Sequence, residues 1–261
     1  MHAKEAEKFV SSNILEGMTS VSALLNAQGH AFNDRRVQQI LIDRNRTEKL
    51  SRELRFLKAK SNELGFEICF VTSEEIAQQT IGNSHGGVIA VCTERSIPEL
   101  TADNIHSQGF YVYLEGIEDP YNFGYALRSL YAAGVDGVIL SPRNWMNAGG
   151  VVARSSAGAS ELLPLYLSEP ETMTALFHQV GYRIYAAGIR DSVSIYEAKL
   201  NRPLLLIVGG EKRGISRALL DRADQIVRID YGRDFRGSLS AASAATVMAF
   251  EVMRQNMPFS N

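Results

Sequence analysis

Leu204-Leu-Leu-Ile-Val208-Gly209-Gly210-Glu211-Lys-Arg-Gly214-Ile-Ser216 is the stretch that sets the reading of this chain. A run of aliphatic residues with no polar alternation describes a strand buried on both faces. Two glycines then let the backbone turn and approach a neighbour closely, and a helix-like pattern starts near Ser216. Such a strand-to-helix junction leaves backbone N–H groups for a ligand. The turn is not a Walker-type phosphate loop, because Ile215-Ser216 stands where Lys-Ser/Thr is required, and it does not match GxGxxG. Taken alone, a glycine turn reads as a structural feature.

The alternation continues on both sides. Strand-like runs at 110–114, 135–140, 162–167, 183–187, 204–208 and 225–229 interleave with helix-like stretches at 125–133, 149–157, 171–180, 216–222 and 239–255. This predicts an α/β domain with a mostly parallel sheet covered on both faces and ligands at the carboxyl ends of its strands. Ahead of it, helix-like stretches at 18–27, 47–64 and 73–79 and strand-like runs at 37–42, 66–71 and 88–92 predict a smaller α/β unit. A polar connector around Pro98 with little periodicity separates the two. The expected division is a domain at 1–95, a linker at 96–109 and a second domain at 110–261.

Composition excludes several classes. With 261 residues, 45% apolar and 21% charged, the chain suits a globular protein, and no apolar run approaches the roughly 18 residues of a membrane span. The charged stretch 1–9 lacks a signal-peptide pattern, so a cytoplasmic location and no membrane partner are expected. Cys69 and Cys92 sit in apolar runs without CxxC spacing, and the five histidines have no metal-type spacing, so no metal is expected. The net charge of −2 hides a basic block: 30–60 holds nine Lys and Arg, among them Arg44, Arg46, Lys49, Arg52 and Arg55, against four acids. In 47–64, Leu50, Leu54, Leu57 and Leu64 share one helical arc, with the cations on the other side. Those cations fit either a solvated face or a surface that docks a phosphate backbone.

Two further glycine-containing or small-residue segments stand at predicted strand ends. Asn122-Phe-Gly124-Tyr-Ala-Leu-Arg128 reads as a turn whose Asn and Arg could orient a ribose and its phosphate, or else as a helix cap and a surface cation. Ser238-Leu239-Ser240-Ala-Ala-Ser243 reads as the start of a helix of very small residues, with Ser238 able to cap it. Small residues suit close helix packing, either in a dimer interface or in a chain threaded through a tight loop.

In order and spacing these three segments resemble the motifs of the SpoU/TrmH-type RNA ribose 2′-O-methyltransferases of the SPOUT superfamily, over roughly 110–256. Asn122, Gly124, Arg128 and Ala132-Ala133-Gly134-Val135 are similar to the first motif, Gly209, Glu211 and Gly214 to the second, and Ile229, Ser238 and Leu239 to the third. Ser155-Ser-Ala-Gly-Ala159 is similar to the family's small-residue stretch, and His85-Gly-Gly-Val-Ile-Ala90 to the substrate-binding domain many members carry in front. One departure is Ser240, which stands where the family usually has Asn.

The resemblance implies a C-terminal deep trefoil knot, a homodimer, S-adenosyl-L-methionine as cofactor and an RNA substrate, rRNA or tRNA. It implies cofactor contacts at Gly188, Gly209, Glu211, Ile229, Ser238 and Leu239, and catalytic roles for Asn122, Arg128, Glu211, Ser238 and Ser240. RNA would be gripped by Arg44, Arg46, Lys49, Arg52, Arg55 and Arg128. A non-catalytic RNA-binding relative with a degenerate third motif is the alternative. A doubly wound nucleotide-dependent enzyme fits the alternation but lacks the phosphate fingerprint.

Overall fold

The computed structural model describes residues 13–80, 85–143, 145, 147–210 and 212–257. They form two compact units, one of residues 1–96 with 144–162, the other of residues 97–143 with 163–261.

The first unit runs β1 (Ile14–Glu16), α1 (Gly17–Ala27), β2 (Val37–Asp43), α2 (Ser51–Leu64), β3 (Glu67–Val71), α3 (Ser73–Gln79) and β4 (Val88–Cys92). Its sheet is ordered β1-β4-β2-β3; β2 and β3 are parallel, and the other pairs antiparallel. Leu57 of α2 is fully buried, with Leu50, Leu54 and Leu64 against the same core, so the predicted leucine arc packs inward. The helix starts four residues later than expected and stops at Gly65, whose φ of +78° suits a residue without Cβ. A reciprocal capping box between Thr72 and Glu75 opens α3.

The second unit begins with β5 (Phe110–Glu115), α4 (Pro120–Ala132) and β6 (Gly137–Leu140), after which α5 (Gly149–Ser155) and α6 (Ala159–Leu162) belong to the first unit. It resumes with β7 (Leu165–Leu167), α7 (Pro170–Gln179), β8 (Arg183–Ala187), β9 (Val193–Ser194), β10 (Leu204–Gly209), α8 (Arg217–Leu220), β11 (Gln225–Arg228) and α9 (Ala241–Asn256). Every pairing in the seven-stranded sheet β7-β6-β5-β10-β8-β11-β9 is parallel. On one face Tyr111, Tyr113, Phe177, Tyr182, Leu205 and Ile207 share a core, with the Tyr111 and Phe177 ring centroids 5.4 Å apart. Helix α9 packs on α4 and β10. Its end is pinned where Leu200 N–H donates to Gln255 Oε1 at 2.9 Å and Asn256 Nδ2 donates to the Leu200 carbonyl at 2.8 Å.

The division differs from the one expected at 96–109 in two respects. Residues 97–109 belong to the second unit: Leu100 is buried in the aromatic core, and its N–H donates to the Leu167 carbonyl at 2.8 Å. Conversely, 144–162 leaves the expected continuous domain. At Gly158, with φ of +82°, a Cβ would collide with Ala23 of α1, so the small-residue stretch is there to admit a helix.

Charge also holds this segment in the first unit. Arg35 and Glu161, both fully buried, lie 3.2 Å apart, and Asn33 Nδ2 donates to Glu161 Oε2 at 3.1 Å. Arg35 also donates to Cys92 Sγ at 3.2 Å and to the Thr93 carbonyl at 3.0 Å. Arg95, buried nearby, donates to the Ser160 carbonyl. One of the nine cations in the basic block is therefore a core residue. Removing one member of a buried pair strands its partner's charge, so Arg35→Met should cost about 3–5 kcal/mol. A lowered urea midpoint would be the readout, and an unchanged midpoint would refute the pair's role.

Candidate functional site

Parallel strands present their carboxyl ends on one edge, and four segments of the second unit converge there. A cavity of about 1060 Å³ is lined by Ala187–Asp191 after β8, the turn after β10, Ile226–Tyr231 of and after β11, and residues of the α9 approach from Phe235 to Met248. Gly188, Gly209, Ile229, Ser238 and Leu239 all line it. Five of the six positions expected to contact a cofactor thus share one cavity. The sixth, Glu211, lies outside the described residues.

The glycine turn is compressed from two sides. A Cβ on Gly209 would collide with backbone of Gly214 and Ile215, and one on Gly210 with the Gly116 carbonyl. Gly214, at φ +63°, donates its N–H to the Gly210 carbonyl at 3.0 Å, closing the loop. Glu115, at the end of β5, accepts from the Ser216 N–H at 2.9 Å and ties the loop's far side to the sheet. Opposite this turn, Gly188 N–H donates to the Val227 carbonyl at 2.9 Å.

The walls mix apolar and charged groups. Ile215, Leu220, Ile226, Ile229, Leu239 and Met248 supply the apolar part, and five arginines face three aspartates around them. Arg228 is committed locally, to Asp230 at 2.8 Å and to the Ser192 carbonyl at 2.6 Å. Hydrogen bonds from Ser194 and Arg228 hold the Asp230 carboxyl below its usual range, so it is charged at neutral pH. Arg190, Arg213 and Arg236 have no ion pair among the described residues.

The first segment is placed differently from the sequence reading. Asn122 to Arg128 is not a turn but the body of α4, which starts at Pro120 behind an Asp119 cap that accepts from the Asn122 N–H at 3.0 Å. The turn lies one step earlier, at Gly116. Asn122 is half-buried and Arg128 exposed, about 9 Å apart along the axis and about 120° apart around it. Neither lines the cavity. Arg128 shares its helical face with exposed Tyr121 and Tyr125.

The third segment is also shifted. Helix α9 starts at Ala241, and its cap is Ser240 rather than Ser238: Ser240 Oγ accepts from the Ser243 N–H at 3.2 Å. Ser238 is exposed at the cavity, while Ser240 does not line it. Sequence reasoning passed over Tyr231 and Phe235, which also line it; the signal was two aromatics and two arginines confined between Asp230 and Gly237.

The expected RNA-contacting cations of the first unit divide in two. Arg44 donates to the Phe70 carbonyl at 2.7 Å, and Arg46 pairs with Asp43 at 3.7 Å. Lys49, Arg52 and Arg55 are exposed and have no ion pair among the described residues.

A model of the SpoU rRNA Methylase family matches residues 109–250. The chain is 28% identical over 251 residues to the 23S rRNA (guanosine-2'-O-)-methyltransferase RlmB of Shewanella oneidensis, across 93% of this chain and 97% of that protein. The protein of that name from Escherichia coli is 28% identical over 252 residues, across 94% and 99%. Among solved structures, the AdoMet-bound rRNA methyltransferase from Sinorhizobium meliloti superposes with a TM-score of 0.75 at 22% identity, covering 94% of this chain and 88% of that one. The SpoU methyltransferase AviRb from Streptomyces viridochromogenes, in complex with AdoMet, gives 0.73 at 22% identity, covering 93% and 89%. At these identities the two structures share the fold with this chain.

The glycine contacts rank three substitutions. At Gly209 and Gly210 a Cβ meets backbone at 2.2–2.3 Å, whereas at Gly188 it meets the Ile226 Cγ2 methyl, a side-chain atom, at 2.8 Å, so a smaller displacement relieves it. Gly209→Ala and Gly210→Ala should each lower stability by about 1–3 kcal/mol, and Gly188→Ala by less. Urea denaturation of the three variants checks the order.

Proposed function

The chain belongs to the SpoU rRNA Methylase family, and we propose that it transfers a methyl group from S-adenosyl-L-methionine to a ribose 2′-hydroxyl of ribosomal RNA, as a homodimer. A guanosine of 23S rRNA is the first target to test, from the names of the relatives. The carrying observation is the single cavity into which Gly188, Gly209, Ile229, Ser238 and Leu239 converge at the carboxyl ends of a parallel sheet. The deep trefoil knot belongs to this proposal. Supporting it, the segment from Ser238 to Met248 lines the same cavity as the turns after β8 and β10, and α9 packs on α4 and β10.

The cavity's chemistry fits the donor. Its volume of about 1060 Å³ lies just above the range of small-molecule sites, roughly 300–1,000 Å³. Apolar side chains such as Ile215, Leu220 and Ile226 suit a flat base, arginines suit a carboxylate and aspartates suit an ammonium group. The donor supplies an electrophilic methyl carried on a sulfonium. Gly209 and Gly210, packed backbone against backbone, give the donor a fixed main-chain edge, and Leu239 and Ile229 exclude water from it.

A ribose hydroxyl is a poor nucleophile at neutral pH, so the protein must position it and favour its developing negative charge. Arg128 takes that role: its guanidinium fork clamps a phosphate and stabilises developing charge rather than accepting a proton. Asn122 on the same helix and Ser238 at the cavity are the residues we assign to shaping the site around it. Arg128 stands on the exposed Tyr121 and Tyr125 face of α4, away from its own chain's cavity lining, and this supports a second copy covering that face and completing the site. No helix among the described residues is long and apolar enough to cross a membrane, in keeping with the cytoplasmic location proposed here.

Calorimetric titration with S-adenosylmethionine should give saturable binding, and deproteinised 23S rRNA should gain a ribose 2′-O-methyl mark. Arg128→Ala should lower kcat about 100-fold while donor affinity stays near wild type; absence of donor binding by the wild-type protein would end the proposal. In the first unit, neutralising Arg52 and Arg55 as glutamines should reduce the slope of log affinity against log salt by about 1–2. A slope equal to wild type would mark both as solvated cations.

A further inference from the structure

The connection from β11 to α9 carries more chemistry than a link needs. In Ile229-Asp-Tyr231-Gly-Arg233-Asp-Phe235-Arg236-Gly-Ser238, two aromatic residues and two arginines fall within six positions. Tyr231 is 40% and Phe235 57% exposed, yet neither ring is loose. The Tyr231 hydroxyl accepts from the Leu239 N–H at 3.2 Å, which fixes that ring to the donor cavity's own lining. The Phe235 ring lies over the backbone of Gly237, where a Cβ would collide with it. The two ring centroids are 5.8 Å apart with planes inclined by 58°.

Ordered aromatic surface held in water forgoes the free energy that burial would give, so it points to something that covers it. The neighbouring charges identify the cover. Arg233 and Arg236 are exposed and have no ion pair among the described residues, while the nearby Arg228 is already bound to Asp230. Aromatic faces beside open guanidinium groups suit unstacked nucleobases with their flanking phosphates. An apolar peptide would use the rings and leave the arginines unanswered.

Resting on the methyl-transfer reading, we infer that Tyr231 and Phe235 form a stacking platform for a nucleobase of the target RNA. Arg233 and Arg236 hold the adjoining phosphates, so that the ribose between them faces the mouth of the donor cavity. These four are positioning residues. The segment joins donor site and substrate site physically, because Leu239 lines the cavity and also holds the Tyr231 ring.

The test uses the full chain and a series at Phe235: Ala, Leu and Trp. Binding of a 12-nucleotide single-stranded oligoribonucleotide carrying 2-aminopurine reports stacking by fluorescence quenching, and calorimetry reports donor affinity. Wild type and Phe235→Trp should quench the probe. Phe235→Ala and Phe235→Leu should lose the quenching, and their KM for 23S rRNA should rise about tenfold, well beyond any change in donor affinity that the ring's place at the cavity rim brings. Gly237→Ala, which displaces the ring without removing it, should behave like Phe235→Ala.

Leucine serving as well as phenylalanine would overturn the platform in favour of simple apolar packing. Loss of donor affinity with RNA binding intact would overturn it by making the rings a cover for the donor. If wild type binds donor and methylates RNA but the Phe235 series changes nothing, only the platform fails; if wild type does neither, the methyl-transfer reading fails first.

Discussion

The site depends on how closely main chain can approach main chain at the end of β10. Gly209 and Gly210 are held between the Gly214-Ile215 backbone on one side and the Gly116 carbonyl on the other, with no space for a methyl group at either position. That contact locks the turn after β10 against the turn after β5, and the Glu115 bond to Ser216 holds the loop's return. One wall of the cavity is therefore backbone, whose position does not vary with side-chain rotamers. The other walls, from the β8 and β11 ends and the α9 approach, are set against this fixed edge.

The elements that the sequence made legible are those with strong periodicity. The strands at 183–187 and 88–92 and the helix at 73–79 match their expected bounds, because buried aliphatic runs and a Thr72-Glu75 capping box leave few alternatives. The three-residue β1 and two-residue β9 are too short to carry a period. The start of α4 was misplaced for a local reason: Gly124 suggested a turn, but Asp119 and Pro120 together make a better helix start, and tertiary packing buries Gly124 inside the helix. The helix expected at 149–157 is present as α5 at Gly149–Ser155, but its segment belongs to the first unit rather than the second, because its partners, Ala23, Asn33 and Arg35, lie more than a hundred residues earlier. No local pattern encodes that pairing.

Charge behaves in the same way. Nine cations in one block look like a single surface, but burial and pairing sort them by function. Arg35 is a core residue opposite Glu161, Arg44 and Arg46 are held by Phe70 and Asp43, and Lys49, Arg52 and Arg55 stay open to solvent. The last group, with exposed Lys58, can exchange counterions for phosphates without first breaking an internal bond, so a count of basic residues overstates the binding face.

Ser240 illustrates what a change of residue type at a motif position does and does not alter. Serine and asparagine cap helices about equally well, so the start of α9 is indifferent to which one stands there. The Ser240 hydroxyl accepts from the Ser243 N–H, and the residue lies outside the cavity lining, whereas Ser238 and Leu239, two and one positions earlier, line it. Asparagine would add an amide with two donors and a longer reach from the same cap. This chain forgoes that reach, and on the proposed reading polar contact with a bound substrate at this edge falls to Ser238 and to the arginines of the preceding loop. A motif position can thus keep its structural duty while the polar groups that line the cavity beside it stand on neighbouring residues, and the proposed role of the 231–236 loop rests on that separation.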